Sequence, residues 1–163
     1  MSRLFWKALL AFLVLPGTFA FLVPLTLFVP SWRGVGMDPL GLVPLLLGMA
    51  ALLATVREFY VAGRGTLAPW SPPRELVTTG LYRFSRNPMY VAVVMILFGW
   101  SALFHSGELL VYALAVAAGF HLRVVFGEEP WLKRTHGESW VRYQARVPRW
   151  FFGFRSNNRE VTP

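Results

Sequence analysis

Four apolar runs, each about the length of a bilayer crossing, dominate this sequence of 163 residues and cover about 5–29, 39–61, 88–104 and 107–126. Apolar residues form 55% of the chain and charged residues only 15%. A soluble domain this small has too little interior to bury so much apolar surface, whereas ~20 apolar residues in a helix span a bilayer. The sequence therefore predicts an all-α integral membrane protein, a single membrane domain over 1–163 with four transmembrane helices.

Local residues mark where these helices begin and turn. Asp38 and Pro39 supply an N-cap and a proline at the first helical position of the second run. Pro88 has the same position in the third run, and little more than His105 and Ser106 separates the third run from the fourth. We therefore expect the third and fourth helices to form an antiparallel hairpin.

The first run follows two basic residues, Arg3 and Lys7, as a cleaved signal sequence would. Its apolar stretch continues over 8–29, which is long enough to span a bilayer. We expect it to be kept as the first transmembrane helix.

The distribution of lysine and arginine predicts the orientation. With the N-terminus in the cytoplasm, 15 of the 16 basic residues lie on the inner side and only Arg33 lies outside. Both termini, the loop 62–87 and the tail 127–163 are then cytoplasmic, and the tail is predicted to be helical with a break near 136–137. This arrangement accounts for most of the net charge of +8. No separate basic domain exists that would bind nucleic acid.

One polar cluster lies where the inner loop meets the third helix: Arg86, Asn87 and Tyr90. Polar groups at this depth are costly and are often functional. Together with the amide groups of the helix N-terminus, these side chains would hold a carboxylate or a phosphate. The structural alternatives are an N-cap for Asn87, an interfacial anchor for Tyr90 and a topological charge for Arg86.

A second polar cluster, Glu128 and Glu129, follows the fourth run. A carboxylate there can accept hydrogen bonds from a ribose diol or attract a cation, although a solvated acidic pair is the simpler explanation. His121 lies seven residues before Glu128, hence on the same face of a regular α-helix, but it could equally be a core histidine bonded to a neighbouring helix. Arg123 either orients an acceptor carboxylate or extends to the inner interface.

The sequence lacks the motifs of several kinds of catalytic and cofactor-binding sites. The chain contains no cysteine and therefore no thiolate nucleophile or disulfide. No H-E-x-x-H or G-x-S-x-G motif occurs, and the glycine pairs 34/36 and 63/65 do not form a dinucleotide-binding fingerprint. The sequence therefore predicts no metal site and no soluble Rossmann domain.

Both clusters lie within segments that resemble a family. Residues 80–92, GLYRFSRNPMYVA, resemble the signature G-x-Y-x-x-x-R-H-P-x-Y-x-G of the integral-membrane isoprenylcysteine carboxyl methyltransferases and the related phospholipid methyltransferases. The segment 128–149 is similar to their second block in its Glu pair, its Gly137 and Tyr143, and its final Val-Pro-Arg. The resemblance covers roughly 80–150, nearly half of the chain.

This resemblance implies a methyltransferase that uses S-adenosylmethionine and methylates a prenylated or lipid-like acceptor by in-line transfer. The cofactor would lie between the segments at about 78–92 and 121–150. It would contact six side chains: Tyr82, Arg86, Asn87, Tyr90, His121 and Glu128. Glu129 and Arg123 would act at the reacting centre, where an amine acceptor must lose a proton and a carboxylate acceptor needs only orientation.

The chain departs from the family pattern at four positions. Asn87 replaces histidine, Ala92 replaces glycine, and His136 and Trp140 replace phenylalanine and tyrosine. These changes leave the acceptor open between a carboxylate and an amine. Two other classes remain alternatives: a membrane reductase of the sterol-reductase type that uses NADPH, and a non-enzymatic membrane protein that binds lipid.

Overall fold

The computed structural model describes residues 13–28, 36–61 and 76–150. Within these ranges every regular element is a helix. We number them α1 (two π-helical segments, Leu13–Leu22 and Pro24–Phe28), α2 (Leu42–Val61), α3 (Pro88–Leu103), α4 (Gly107–Arg123) and α5 (Glu129–Arg146). Short 3₁₀ turns, Pro39–Gly41 and Gly80–Arg83, precede α2 and α3, and a π-helical turn, Val124–Glu128, joins α4 to α5. The prediction of an all-α fold is confirmed for the described residues.

Two helices are long and apolar enough to cross a membrane, Pro39–Glu58 and the continuous helix Gly107–Arg146. Two further apolar helices, Pro16–Phe28 and Pro88–Leu103, are shorter. Large apolar side chains on the outer faces of α2 and α4 are exposed, as lipid-facing residues would be. Four transmembrane helices remain a prediction. The expectations for residues 1–12, 29–35, 62–75 and 151–163 lie outside the described residues.

Glycines bring α2 and α3 unusually close together. A Cβ atom at Gly99 of α3 would lie 2.6 Å from the backbone nitrogen of Leu45 in α2. A Cβ atom at Gly48 of α2 would lie 2.9 Å from the carbonyl oxygen of Ala92 in α3. Small residues at such contacts are typical of helix packing in membranes. The family signature has a glycine at position 92, where this chain has alanine. Here the glycine at this contact is Gly48 on the facing helix.

The segment α1 lies against α3 and α4. The indole Nε1 of Trp100 donates to the carbonyl oxygen of Ala20 at 3.1 Å, and the Tyr112 hydroxyl donates to that of Phe19 at 3.2 Å. The rings of Phe19 and Phe120 meet edge to face with their centroids 5.8 Å apart. Pro24 lies four residues after Ala20 and five after Phe19 and has no N–H, so it cannot donate to either carbonyl as an α-helical or π-helical partner would.

The start of α2 and the turn between α3 and α4 lie at one end of the helices. The backbone N–H of Asp38 donates to the carbonyl oxygen of Leu103 at 2.9 Å, and the Asp38 side chain caps the following turn through the N–H of Leu40. At the opposite end, Thr79 Oγ1 donates to Glu58 Oε2 at 2.6 Å. We call this opposite end, where α2 and α4 finish and α3 begins, the inner end.

The fourth helix does not stop near 126. The π turn carries it directly into α5, which bends at Gly137, where φ is 51° and ψ is −123°. Beyond the bend, Trp140, Tyr143 and Val147 form a small buried cluster with Leu76 and Leu132. This cluster folds the second half of α5 against the loop before α3.

Candidate functional site

The loop before α3 is fixed by α2 on one side and α5 on the other. Gly80 has a φ of 57°, and a Cβ atom there would lie 2.7 Å from the Glu58 side chain. The Tyr143 hydroxyl donates to the carbonyl oxygen of Tyr82 at 2.7 Å, and the Tyr82 side chain is buried. Burial is the main cause that raises the pKa of Tyr82 well above its usual value, and nearby Tyr143 adds to the effect.

Ser85 and Arg86 hold the segment that follows α5. The backbone N–H of Arg86 donates to the carbonyl oxygen of Pro148 at 2.9 Å. Ser85 Oγ lies 3.2 Å from each of the carbonyl oxygens of Arg149 and Trp150, to which its single hydroxyl proton can be donated. Because the Ser85 side chain has 0% exposure, these bonds are shielded from water.

Asn87 is at the N-cap position of α3, but its side chain makes no capping hydrogen bond. Its Nδ2 instead donates to the carbonyl oxygen of Arg149 at 3.1 Å. The capping explanation is therefore correct for the position and wrong for the side chain. Asn87 joins the start of α3 to the tail.

Glu129, the first residue of α5, binds two guanidinium groups. Arg149 forms a bidentate pair with it, Nε to Oε1 and Nη2 to Oε2, both at 2.8 Å. Arg86 Nη1 lies 2.9 Å from Glu129 Oε1. The hydrogen bond to Glu129 raises the pKa of Arg149. Burial lowers the pKa of Arg86, and the charge of Glu129 opposes that effect.

Arg86 has unused hydrogen-bonding capacity. Its Nε and Nη1 atoms are buried and make no hydrogen bond with any described residue. Nη1 forms an ion pair with Glu129 Oε1 at 2.9 Å, so Nε is the donor that is left without a partner among the described residues. The guanidinium carbon lies 5.5 Å from the centre of the Trp140 ring. Such buried donors require an acceptor, and an anionic ligand would supply one.

Glu128 belongs to a neighbouring network. The Tyr90 hydroxyl donates to Glu128 Oε1, and Arg123 Nε donates to the same oxygen at 2.7 Å. Arg123 Nε also lies 3.2 Å from the Tyr90 hydroxyl oxygen. The Tyr90 ring stacks on Phe120 with centroids 4.4 Å apart. A carboxylate, a guanidinium and an aromatic face thus meet between α3 and α4.

That His121 and Glu128 share one helix face, as their seven-residue spacing suggests, stays a prediction. That spacing assumed a regular α-helix, and the π turn Val124–Glu128 changes the register. His121 Nδ1 accepts a hydrogen bond from Trp150 Nε1 at 3.2 Å. Since an indole N–H can only donate, Nδ1 of His121 is the acceptor in this bond.

The inner end brings together the eight predicted site residues, which are Tyr82, Arg86, Asn87, Tyr90, His121, Arg123, Glu128 and Glu129. The sequence assigned no role to four residues that complete the networks: Ser85, Tyr143, Arg149 and Trp150. Tyr143 and Arg149 occur in the block that resembles the family, which was a usable signal. Nothing in the sequence distinguishes Ser85.

Residues 39–139, more than half of the chain, match the sequence model of the phospholipid methyltransferase family. The chain belongs to the phospholipid methyltransferase family. No match was found among curated proteins or among solved structures. Membership confirms the family expected from the two sequence blocks, and it implies a membrane methyltransferase with a lipid substrate.

The region that matches the phospholipid methyltransferases contains α2, α3, α4 and most of α5. It includes Arg86, Glu128 and Glu129 but not Arg149 or Trp150. Arg149, which completes the network of Arg86 and Glu129, therefore lies beyond the matched residues, whereas the network of Glu128 lies within them. Part of the candidate site thus comes from the segment that follows α5.

Proposed function

We propose that this protein transfers a methyl group from S-adenosylmethionine to a lipophilic acceptor at the inner end of its helices. The observation that carries the proposal is the meeting of the networks of Arg86 and Glu128 at one end of an apolar bundle. In a member of a methyltransferase family, paired charges at that position are a reasonable binding site for a charged cofactor beside lipid.

The side chains fit the charged parts of this cofactor. The buried Nε of Arg86 makes no hydrogen bond with a described residue and can donate to the cofactor carboxylate. Asn87 lies next to Arg86 and adds an amide to the same region. Glu129 and Arg149 would keep the Arg86 guanidinium in place, since the bidentate pair anchors Glu129.

The second network fits the nucleoside and the sulfonium. Glu128 can accept hydrogen bonds from ribose hydroxyls or lie beside a positive charge, and Tyr82 and His121 lie at the borders of this region. The stacked rings of Tyr90 and Phe120 offer an aromatic surface. These roles are assigned from the chemistry of the groups.

When bound, the cofactor supplies a methyl group on a sulfonium, which is displaced in line by the acceptor. The protein has to align the two reactants, and such alignment can lower a barrier by about 7–11 kcal/mol. We assign Arg123 and Glu129 to the reacting centre. Because Glu129 is held by two guanidinium groups, it can take a proton from an amine acceptor only after one of these contacts has loosened.

The excess of basic residues supports a cytoplasmic inner end. In the proposed arrangement four transmembrane helices place both termini in the cytoplasm. The methyl donor then enters from the cytoplasm, and the acceptor enters from the surrounding lipid.

Calorimetric titration of the detergent-solubilised protein with S-adenosylmethionine tests this function, with NADPH titrated in parallel. We expect saturable one-to-one binding of the methyl donor, weakened by Arg86→Ala, Asn87→Ala and Glu128→Ala. Glu138→Gln is the matched control, because the Glu138 side chain is 91% exposed and pairs only with Arg142 among the described residues. Binding of NADPH alone would support a reductase, and silence from both ligands would support a non-enzymatic role.

A further inference from the structure

Arg123, the last residue of α4, uses only one side of its guanidinium inside the site. Nε lies 2.7 Å from Glu128 Oε1 and 3.2 Å from the Tyr90 hydroxyl oxygen. Nη1 and Nη2 make no hydrogen bond with another of the described residues. The side chain is 52% exposed. Two terminal nitrogens with four N–H groups are thus without a hydrogen bond to the described residues.

The surroundings of this free edge are apolar and exposed. Leu122, directly before Arg123, is 55% exposed, and Phe126 in the π turn is 76% exposed. Leu122 is in the last turn of α4 and Phe126 in the π turn that follows, and both belong to the continuous helix Gly107–Arg146, which is long and apolar enough to cross a membrane. In a bilayer, side chains of this kind contact acyl chains while a nearby arginine lies at the level of the headgroups.

We propose that the free edge of the Arg123 guanidinium binds the phosphate of the lipid acceptor. This inference rests on the proposed function and adds a binding group for the acceptor headgroup. Planar guanidinium groups bind phosphate through two parallel N–H···O bonds, which a lysine ammonium cannot form. Since Nε of the same group binds Glu128, a phosphate on the outer edge would be held at a fixed distance from the reacting centre.

A snorkelling arginine is the alternative explanation. Snorkelling extends the charged group toward water and accounts for the exposed edge. It does not account for the inward direction of Nε, which binds a half-buried carboxylate and a tyrosine hydroxyl. The two explanations differ in what they predict for lipids with and without phosphate.

The test uses thermal unfolding of the protein in dodecyl maltoside, a detergent that contains no phosphate. Dioleoylphosphatidylethanolamine and oleylamine are titrated separately, since both carry an amine and only the first carries a phosphate. We expect the phospholipid to stabilise the wild-type protein at a lower mole fraction than oleylamine does. In Arg123→Gln the half-saturating mole fraction of the phospholipid should rise at least about tenfold relative to that of oleylamine, because a charged hydrogen-bonding partner is lost.

Arg142→Gln is the control, since Arg142 is an exposed arginine of α5 that pairs with Glu138. It should keep the wild-type preference for the phospholipid. A merely structural role of Arg123 in holding Glu128 would weaken both lipids equally, and an unchanged ratio in Arg123→Gln therefore overturns the proposal. Equal affinity of the wild-type protein for both lipids overturns it as well.

Two further arms complete the experiment. Arg123→Lys keeps the positive charge and replaces Arg123→Gln if that variant does not fold. It should lose most of the preference for the phospholipid over oleylamine, because a lysine cannot form the paired bonds.

Sodium phosphate, compared with sodium chloride at equal ionic strength, identifies the source of the phosphate. Thermal stabilisation by inorganic phosphate without stabilisation by the phospholipid contradicts a lipid headgroup site. Titration with S-adenosylmethionine separates the two ideas, because failed cofactor binding with an intact lipid preference would refute only the proposed methyl transfer.

Discussion

Arg123 and Glu128 are hydrogen bonded across five residues of helix, with 2.7 Å between Nε and Oε1. In an α-helix the side-chain neighbours lie three and four residues apart. In the π turn Val124–Glu128 the hydrogen-bonded step is five residues, so a residue and its fifth successor lie on the same side. The π turn is therefore what places the Glu128 carboxylate beside Arg123 and Tyr90.

We predict that Glu128→Gln weakens the binding of S-adenosylmethionine about tenfold, since hydrogen bonds that involve a charged group contribute about 1.5–3 kcal/mol. Glutamine keeps an acceptor for Arg123 and loses the negative charge. Glu128→Ala removes both and should weaken binding further. Calorimetry measures the affinities, and the thermal unfolding midpoint shows whether each variant is folded.

The control for this series is Glu138→Gln, which removes a carboxylate from the exposed face of α5. It should bind the cofactor as the wild-type protein does. Wild-type affinity in both Glu128 variants would remove this carboxylate from the binding site.

Asn87 should be more tolerant of histidine than of aspartate. Its Nδ2 donates to the carbonyl oxygen of Arg149 at 3.1 Å. Asn87→Asp places an acceptor against that carbonyl, whereas Asn87→His keeps an N–H donor and restores the residue of the family signature. We expect Asn87→Asp to separate the tail from the loop and to speed hydrogen exchange at the Arg86 amide, which donates to Pro148.

Exchange is followed by mass spectrometry on peptides that cover 85–90. Asn87→His should stay close to the wild-type protein in exchange and in cofactor affinity. If Asn87→Asp exchanges no faster than Asn87→His, the bond to the tail does not hold the loop.

Much of the architecture could be predicted because it depends on local and periodic features. The cap at Asp38 was readable, and its side chain accepts the hydrogen bond that capping requires. The residues that form the two polar clusters could also be predicted, because polar groups beside apolar runs are few. Family membership then followed from the residue order.

The pairing inside the clusters could not be predicted. The partners of Asn87 and Ser85 are backbone carbonyls more than 60 residues away, and a carbonyl group is common to every residue. The register of Glu128 depends on a π turn in the sequence VVFGE, which has no distinctive pattern. The seven-residue rule assumed a regular α-helix between His121 and Glu128, and the π turn interrupts it.

Two glycine-to-alanine substitutions should differ in their effect on stability, because one lies at the contact between α2 and α3 and the other lies on α4, away from it. Gly99→Ala places a methyl group 2.6 Å from a backbone nitrogen of α2, which cannot move aside as a side chain can. We expect a loss of about 1–3 kcal/mol in unfolding free energy, as for other overpacked cores. Gly119→Ala in α4 has no described atom within 4 Å of the new methyl group and should be neutral or slightly stabilising.

Reversible unfolding in mixed detergent micelles measures both variants against the wild-type protein. Equal stability of the two variants would mean that α2 and α3 are not packed as closely as their glycines allow.

Tyr82 should make the folded state sensitive to alkaline pH. Burial raises its pKa well above the usual value in the folded protein, while in the unfolded chain the phenol ionises near its ordinary pKa of about 10. Above that pH the unfolded state binds fewer protons than the folded state, so stability falls as pH rises. Tyr82→Phe removes this titration and should reduce the loss of stability between about pH 9 and 11.

The measurement compares the slopes of unfolding free energy against pH, because any contact of the hydroxyl that the substitution removes lowers stability at every pH. Part of the slope should persist through Tyr143, whose pKa burial also raises. An identical slope in Tyr82→Phe would show that the phenol of Tyr82 ionises as readily in the folded protein as in the unfolded chain.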